Sequence, residues 1–209
     1  MHTVSAFRIG KNDPTIHISD ADVWRTSVTP DGPATLHISQ WQSTTPIFQT
    51  YGDGATWLQP RVTDFLGGSD AVPKITPAHE IVSTAQKKFG RLLLGRSNTP
   101  YHELLHAVLA QRVTSIEATR QWREIVLRYG TPAPGPHAAI RTPPAPDVIA
   151  SLPYHEFHRF GIERKRALLL REATAAATSA VGAVAASGNI LASIAPPGAS
   201  AAEVWNYVL

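Results

Sequence analysis

A chain of 209 residues, of which 43% are hydrophobic and 17% charged, has the composition of a soluble globular protein with room for one large domain or two small ones. It contains no cysteine, which excludes disulfides and thiolate chemistry and favours a reducing compartment, so we expect a cytoplasmic protein. It also lacks a long apolar run and the apolar core of a signal peptide, so we expect no membrane span and no membrane partner.

The positive charge lies in the middle of the chain. Residues 1–84 hold 5 basic and 8 acidic residues, whereas residues 85–171 hold 14 basic and 6 acidic residues, a net charge of +8. A basic section of this kind suits a polyanionic partner such as nucleic acid, although a solvated charged helix face would give the same count.

Four segments rich in β-branched and aromatic residues come first along the chain. Turn signals such as the Pro-Asp-Gly-Pro of residues 30–33 separate them. We therefore predict a small antiparallel sheet with strands over residues 15–18, 22–26, 34–38 and 46–51. Helical patterns follow over residues 55–66 and 77–89.

The second half of the chain reads as helical. Thr99 and Pro100 predict the start of a helix that runs to about residue 110, and Thr114 and Glu117 form a capping box that starts the next helix. That helix is expected to bury Ala118, Trp122, Ile125, Val126 and Tyr129, with Arg120, Arg123 and Arg128 on its opposite side. A proline-rich connector over 131–146, a short helix over 153–160 and a longer helix from Glu163 to about residue 179 complete the pattern.

Five residues on the first of these helices spell His102-Glu103-Leu104-Leu105-His106, the H-E-x-x-H pattern of zinc peptidases. In such enzymes the two histidines bind Zn²⁺ one helical turn apart, and the glutamate acts as general base on the metal-bound water. A third ligand is not evident from the sequence. The alternative is that both histidines are ordinary residues beside the apolar stripe of the helix, and we assign no metal-binding residue.

A longer stretch, residues 92–171, resembles the 3-methyladenine DNA glycosylase II branch of the helix-hairpin-helix superfamily. Residues 23–25 and 29–33 are similar to the small α+β domain that precedes the helical domain in a bacterial subgroup. The resemblance in the helical part is carried by three stretches in order: Leu105-His106-Ala107-Val108-Leu109-Ala110-Gln111-Arg112-Val113-Thr114, Pro153-Tyr154-His155-Glu156-Phe157-His158-Arg159-Phe160-Gly161-Ile162, and Arg164-Lys165-Arg166-Ala167.

Family members remove alkylated bases from DNA, so the resemblance implies double-stranded DNA with a damaged base as the partner, and no cofactor. The damaged base is flipped out of the stack, and a side chain fills the gap. The resemblance places this wedge at Arg112, beside Gln111. A surface arginine at a helix end is the alternative.

Further DNA contacts follow from the same resemblance. Basic residues around the turn at residues 160–161 would position the DNA backbone, unless they are only a solvated helix start. Two aromatic residues would line a pocket for the flipped base by stacking, while Trp122 is better placed in the core. The backbone contacts are assigned to Arg159, Arg164, Lys165 and Arg166, and the pocket to Tyr154 and Phe157.

Two parts of the family's machinery have no counterpart here. The hairpin of the family is a glycine-rich turn that presents amide donors to a phosphate, whereas the corresponding residues 194–204 lack Gly-x-Gly and contain Pro196-Pro197. The aspartate that assists departure of the base lies beyond the hairpin in the family, and no residue of this chain takes its position. We therefore assign no catalytic residue.

These observations predict an α+β protein. Residues 1–84 are expected to form a small antiparallel sheet with helices, and residues 85–209 an incomplete all-α helix-hairpin-helix glycosylase domain, truncated at its C-terminal end. The predicted function is that of a DNA-3-methyladenine glycosylase-like protein of base excision repair, impaired in catalysis. A zinc metallopeptidase and a catalytically dead DNA-binding module remain alternatives, and no obligate protein partner is evident.

Overall fold

The computed structural model describes residues 2–68, 79–89, 93 and 95–187, and it has the α+β character that the sequence predicts. A four-stranded antiparallel sheet in the order β1-β2-β3-β4 comes first, and helices follow. The strands of this sheet are β1 (Ile16–Ile18), β2 (Asp22–Thr29), β3 (Gly32–Ser39) and β4 (Ile47–Tyr51). The helices are α1 (His2–Ser5), α2 (Ala55–Leu58), α3 (Val62–Phe65), α4 (Glu80–Phe89), α5 (Pro100–Leu109), α6 (Ser115–Tyr129), α7 (Pro146–Ser151), α8 (Tyr154–Arg159) and α9 (Arg164–Ser187).

The sheet forms where the turn signals predict. Strands β2 and β3 pair in register from Asp22 opposite Ser39 to Thr29 opposite Gly32, so the turn falls on Pro30 and Asp31. Alternate residues of β3 point to one side, where Ala34, Leu36 and Ile38 are buried, as the two-residue period of a strand requires. This face packs on α1, α2 and α3 to form the first hydrophobic core, with Val4, Leu58 and Phe65 among its members.

The helix predicted over residues 55–66 is interrupted. A 3-10 turn, Gln59–Arg61, separates α2 from α3. Pro60 explains the break, because proline has no N–H and its ring clashes with the carbonyl four residues earlier in an α-helix. The chain can therefore pack Leu58 and Phe65 on the same sheet although they belong to two short helices.

A second hydrophobic core lies among the helices. The amphipathic helix α6 supplies Trp122, Ile125 and Val126, and its arginines 120, 123 and 128 are exposed, as predicted; Tyr129 is only partly buried. Helix α9 packs against α5, α7 and α8 and extends to Ser187, further than the sequence indicates. None of the helices in the described part of the chain combines the length and the apolar character that crossing a membrane requires.

The proline-rich segment 131–146 is more ordered than predicted. It contains a short antiparallel ladder of β5 (Thr131–Pro132) and β6 (Arg141–Thr142), and Pro146 starts helix α7. Proline is well suited to the first position of a helix because the N–H that it lacks would have no partner there. Two-residue strands and a six-residue helix leave too little periodicity to be recognised from the sequence.

The sheet and the helices share a buried polar junction. The carboxylate of Asp13 accepts hydrogen bonds from the backbone N–H of Thr15 (3.0 Å) and from the indole N–H of Trp122 (3.0 Å). The Thr26 and Thr142 hydroxyls lie 2.7 Å apart, between β2 and β6. Residues before and within the sheet therefore bond directly to the helical half, and the predicted boundary after residue 84 falls within α4.

Candidate nucleic-acid interface

The chain reverses between α5 and α6 in a tight turn, residues 110–114, which we call the Arg112 turn. Arg112 is exposed and has a φ of +57°, in the left-handed region that an L-residue enters at a cost of about 1–2 kcal/mol. Gln111, partly buried, donates its backbone N–H to the carbonyl of Val108 (3.2 Å). The turn thus places the predicted wedge residue at its apex, with its side chain in solvent.

Helix α6 begins directly after this turn. The Thr114 hydroxyl accepts a hydrogen bond from the N–H of Glu117 at 3.3 Å, so Thr114 is the N-cap that the sequence predicts. Four residues after Arg112, the large apolar side chain of Ile116 is 82% exposed, and it is not among the residues predicted to contact DNA. Its position at the start of α6 would extend any contact surface centred on Arg112.

A second turn, residues 160–163, joins α8 to α9, and we call it the Gly161 turn. Gly161 has a φ of +74° and donates its N–H to the carbonyl of His158 (2.9 Å), which ends α8 as a C-terminal glycine commonly does. Arg164 and Lys165 are exposed at the start of α9. Arg159, also exposed, donates to Glu156 at 3.0 Å, so part of its charge is already matched.

Two residues predicted to contact DNA, Arg166 at the backbone and Phe157 in the base pocket, lie inside the protein. The guanidinium of Arg166 is buried, with 6% of the residue exposed, and Phe157 is fully buried in the helical core beside Phe160 and Ile162. The reason is helical geometry, because Arg166 stands four residues before the buried Leu170 on the inner face of α9. Neither side chain can reach DNA in this arrangement.

The other predicted pocket residue, Tyr154, is 39% exposed at the start of α8. Its ring lies 5.9 Å from the ring of His158, centroid to centroid. A separate cleft of about 460 Å³ lies between α6 and α8, and Tyr154 does not line it. The cleft is lined by Glu124, Leu127, Arg128, Arg159 and Phe160.

Side chains of α6 connect to the Gly161 turn. Arg120 donates to the carbonyl of Phe160 (2.9 Å), and the amide of Gln121 donates to the carbonyl of Gly161 (3.2 Å). Arg120 also bonds Glu117 at 2.6 Å, and this hydrogen bond lowers the pKa of the Glu117 carboxyl below its usual range. Glu117 therefore stays ionised, and its negative charge is paired with the guanidinium of Arg120.

The H-E-x-x-H residues make packing contacts. His102 is 1% exposed, its Nε2 lies 3.3 Å from the Thr15 hydroxyl, and its ring lies 4.8 Å from the ring of Trp122. Burial lowers the pKa of His102 well below the usual value, and the nearby Arg25 and His106 lower it further. The imidazole is therefore neutral at physiological pH.

The glutamate of that pattern is also engaged. Glu103 forms an ion pair with the buried Arg25 of β2 at 2.7 Å, across the junction between sheet and helices. His106 is partly buried, and burial lowers the pKa of its ring although the carboxylates of Asp13 and Glu103 act against this. Among the residues that the structure describes, no group of three histidine, aspartate or glutamate side chains is arranged to hold a metal ion.

The hairpin-like stretch, residues 194–204, lies outside the described residues. Sequence reasoning missed the contacts of Arg120, Gln121 and Arg166 that connect the two turns. The sequence did contain a pattern that predicts burial of Arg166, because Arg166, Ala167 and Leu170 are spaced to lie on the same face of a helix.

Comparison with solved structures shows a shared fold. The chain is similar to a 3-methyladenine DNA-glycosylase from Archaeoglobus fulgidus, with a TM-score of 0.67 and 14% sequence identity over 82% of this chain and 62% of that one. The match therefore spans less than two thirds of the archaeal protein. A structure of MBOgg1 in complex with a low-affinity DNA ligand matches with a TM-score of 0.45 and 12% identity, over 93% of this chain and 72% of that one. The sequence matches no protein-family model and no curated protein sequence.

Proposed function

We propose that this protein binds duplex DNA at damaged bases, as a DNA-glycosylase-like protein of base excision repair. The observation that carries the proposal is the conformation of Arg112. An exposed cationic side chain stands on a left-handed backbone at the apex of a helix-to-helix turn, within a fold shared with a 3-methyladenine DNA-glycosylase. Residues held in such strained backbone conformations cluster at ligand-binding sites.

Arg112 is proposed to enter the duplex where a base leaves the stack. Unstacking a base costs a few kcal/mol, so a side chain that fills the gap favours the flipped state. An arginine can occupy the gap with its planar guanidinium and still bond to a phosphate or a base edge. Gln111, beside it in the turn, is proposed to contact the opposite strand or the gap.

The Gly161 turn is proposed to hold the DNA backbone. Arg164 and Lys165 are exposed at the start of α9, where the helix N-terminus adds partial positive charge to theirs. Arg159 adds a third cation on the other side of the turn, although Glu156 matches part of its charge. Tyr154 is proposed to stack on the flipped base, a role that its partial exposure permits.

We propose that this chain recognises lesions but releases bases poorly. Base release in glycosylases of this kind needs an ionised carboxylate at the sugar to stabilise developing positive charge. Glu117, the described carboxylate nearest in sequence to the Arg112 turn, is held by Arg120 and Gln121. Robust release of 3-methyladenine or hypoxanthine from duplex DNA by this chain would contradict the proposal.

Fluorescence anisotropy can test lesion recognition. The probe is a duplex with one tetrahydrofuran abasic-site analogue, compared with an undamaged duplex of the same sequence at one fixed salt concentration. We expect the chain to prefer the damaged duplex, and Arg112→Ala to reduce this preference about tenfold, since the side chain acts only where the stack is open. Lys165→Ala should instead weaken binding to both duplexes and reduce the slope of log affinity against log salt by about one.

Arg171→Ala is the matched control for these variants. Arg171 is an exposed arginine on α9, and it donates to the carbonyl of Ala150, away from either turn. Its removal changes net charge as Arg112→Ala does, so equal effects of the two variants would reduce the role of Arg112 to nonspecific electrostatics. Equal affinity of the unaltered chain for both duplexes would overturn the proposed function.

The peptidase alternative gains no support from the contacts of its own residues. The candidate general base, Glu103, is paired with Arg25, and His102 is buried against Trp122 and Thr15. Both arrangements serve the junction between the sheet and the helices, and we propose no peptidase activity.

A further inference from the structure

We propose that Arg166 is a positioning residue that fixes the Arg112 turn relative to the Gly161 turn, so that the two turns meet DNA at a set spacing. This inference rests on the proposed function and deepens it. Arg166 itself does not touch DNA. It acts through the backbone of the two turns that do.

The guanidinium of Arg166 contacts three elements at once. Its Nη1 donates to the carbonyl of Leu109, the last residue of α5, at 2.9 Å, and to Oε1 of Gln121 on α6 at 3.0 Å. Its Nη2 donates to the carbonyl of Gly161 at 3.4 Å. One side chain of α9 therefore holds the end of α5, the middle of α6 and the turn after α8.

The contact with Leu109 bears directly on Arg112. The last four carbonyls of a helix have no partner within the helix, so a donor from elsewhere decides how firmly that end is held. The Arg112 turn begins at Ala110, the next residue, and Arg112 follows two residues later. Because Arg166 holds the carbonyl before the turn, it limits how far the turn can move.

A second set of bonds holds the Gly161 turn from α6. Gln121, which accepts from Arg166, donates its own amide to the carbonyl of Gly161 at 3.2 Å, and Arg120 donates to the carbonyl of Phe160 at 2.9 Å. The backbone of Gly161 packs against these side chains, since a Cβ at that position would lie 3.4 Å from Nη2 of Arg120. The two turns are thus joined through one continuous hydrogen-bond network.

The chemistry of Arg166 suits positioning better than stability. Among the described residues, its hydrogen-bond acceptors are two backbone carbonyls and one side-chain amide, all neutral. A buried cation without a carboxylate bonded to it is expensive to desolvate, so its hydrogen bonds contribute less net stability than their number suggests. The planar fork of arginine is the side chain that can bond three acceptors in fixed directions, and lysine cannot reproduce that geometry.

Amide hydrogen exchange on the full chain without DNA tests the coupling by itself. Arg166→Met keeps the length of the side chain and removes the donors. We expect exchange at Ala110 and Gln111, whose N–H groups donate to the carbonyls of His106 and Val108, to speed up by about tenfold or more, while exchange in the sheet stays unchanged, since opening is local. Arg171→Met, on the exposed side of the same helix, is the control and should leave the turn as it is.

Lesion binding then tests the consequence. With the tetrahydrofuran duplex, Arg166→Met should lower the preference for damaged DNA about tenfold, and it should add little in an Arg112→Ala background, because residues that act as a unit are not additive. The inference would be overturned if the losses of lesion preference in Arg166→Met and Arg112→Ala were fully additive. It would also be overturned if amide exchange at the Arg112 turn were unchanged in Arg166→Met. A merely destabilising substitution would lower binding to damaged and undamaged duplexes alike.

The two proposals can fail separately. If the unaltered chain shows no lesion preference, the proposed function fails, and the exchange measurement still decides whether Arg166 holds the turn. If Arg166→Met does not fold, Arg166→Lys keeps the positive charge but cannot bond the three acceptors at once, and the same two measurements apply with the same expected and contradicting results.

Discussion

Arg112 combines a strained backbone with an exposed side chain. Its backbone is in the left-handed region, where glycine or asparagine would be less strained, and its side chain is exposed. At another left-handed position, residue 98, the chain does use asparagine, whose side chain bonds Asp64 at 2.9 Å. Gln40 is also exposed and left-handed, so the proposed role of Arg112 rests on its place at the apex of the turn between α5 and α6.

A glycine substitution separates the two properties. Arg112→Gly removes the strain of the left-handed backbone, which stabilises the folded state. Glycine also makes the unfolded chain more flexible, which offsets part of this effect, so we expect the free energy of unfolding to rise by about 0.5–1 kcal/mol. Lesion preference should nevertheless fall as it does in Arg112→Ala. Urea denaturation and anisotropy measure the two effects. Arg112→Ala keeps a Cβ and should not be stabilised; a glycine variant that is less stable than the parent would show that the side chain holds the turn.

At the scale of elements, helix α6 depends on its N-cap. Thr114→Ala removes the acceptor for the N–H of Glu117, and we expect the free energy of unfolding to fall by about 1 kcal/mol. Thermal unfolding measures the loss, and Thr114→Ser, which keeps a hydroxyl, should recover most of it. Equal stability of both variants would mean that water caps the helix as well as Thr114 does.

The elements themselves follow largely from the sequence. The strands and the starts of α5 and α6 were predicted within a few residues, because turn residues and caps are local signals. The break at Pro60 and the helix start at Pro146 were not predicted. A proline can interrupt a helix or begin one, and which of the two occurs depends on packing. The β5–β6 ladder was not predicted, because strands of two residues are too short to show an alternation of polar and apolar residues.

The candidate site was predicted less completely than the fold. The position of Arg112 came from its place in a motif, and the structure adds the backbone conformation that no sequence pattern reports. The resemblance assigned Arg166 to the DNA backbone and Phe157 to the base pocket, whereas the structure buries both side chains. Side-chain direction depends on which face a neighbouring helix covers, and that information is tertiary.

At the scale of the whole molecule, His102 makes the junction between sheet and helices sensitive to acid. Its buried ring faces Arg25, His106, Trp122 and Thr15, and burial lowers its pKa well below 6.5. A histidine that resists protonation when folded stabilises the protein fully above about pH 6.5. As the pH falls below that value, His102 becomes protonated in the unfolded chain but stays neutral in the folded one. The free energy of unfolding therefore falls until the pH reaches the lowered pKa of the folded state.

The expected loss is up to about 1.4 kcal/mol per pH unit as the pH falls below about 6.5. Urea denaturation at several pH values measures it. In His102→Gln the titrating group is gone, so the curve should be flatter over this window, with His106 contributing a smaller slope in the same direction. His155→Gln, at an exposed position, is the control. An unchanged slope in His102→Gln would place the acid sensitivity elsewhere.

The arginines that connect the two turns also alter the electric field around them. Both turns follow the carboxyl end of a helix, α5 or α8, where aligned peptide dipoles leave about half a negative charge that would repel a phosphate backbone. Arg166 bonds the carbonyl of Leu109, so its guanidinium offsets the negative pole of α5, whereas Arg120, which bonds the carbonyl of Phe160, is already paired with Glu117 and Glu124. At the Arg112 turn the negative pole of α5 is thus offset from inside the protein, and the positive amino end of α6 lies directly after it.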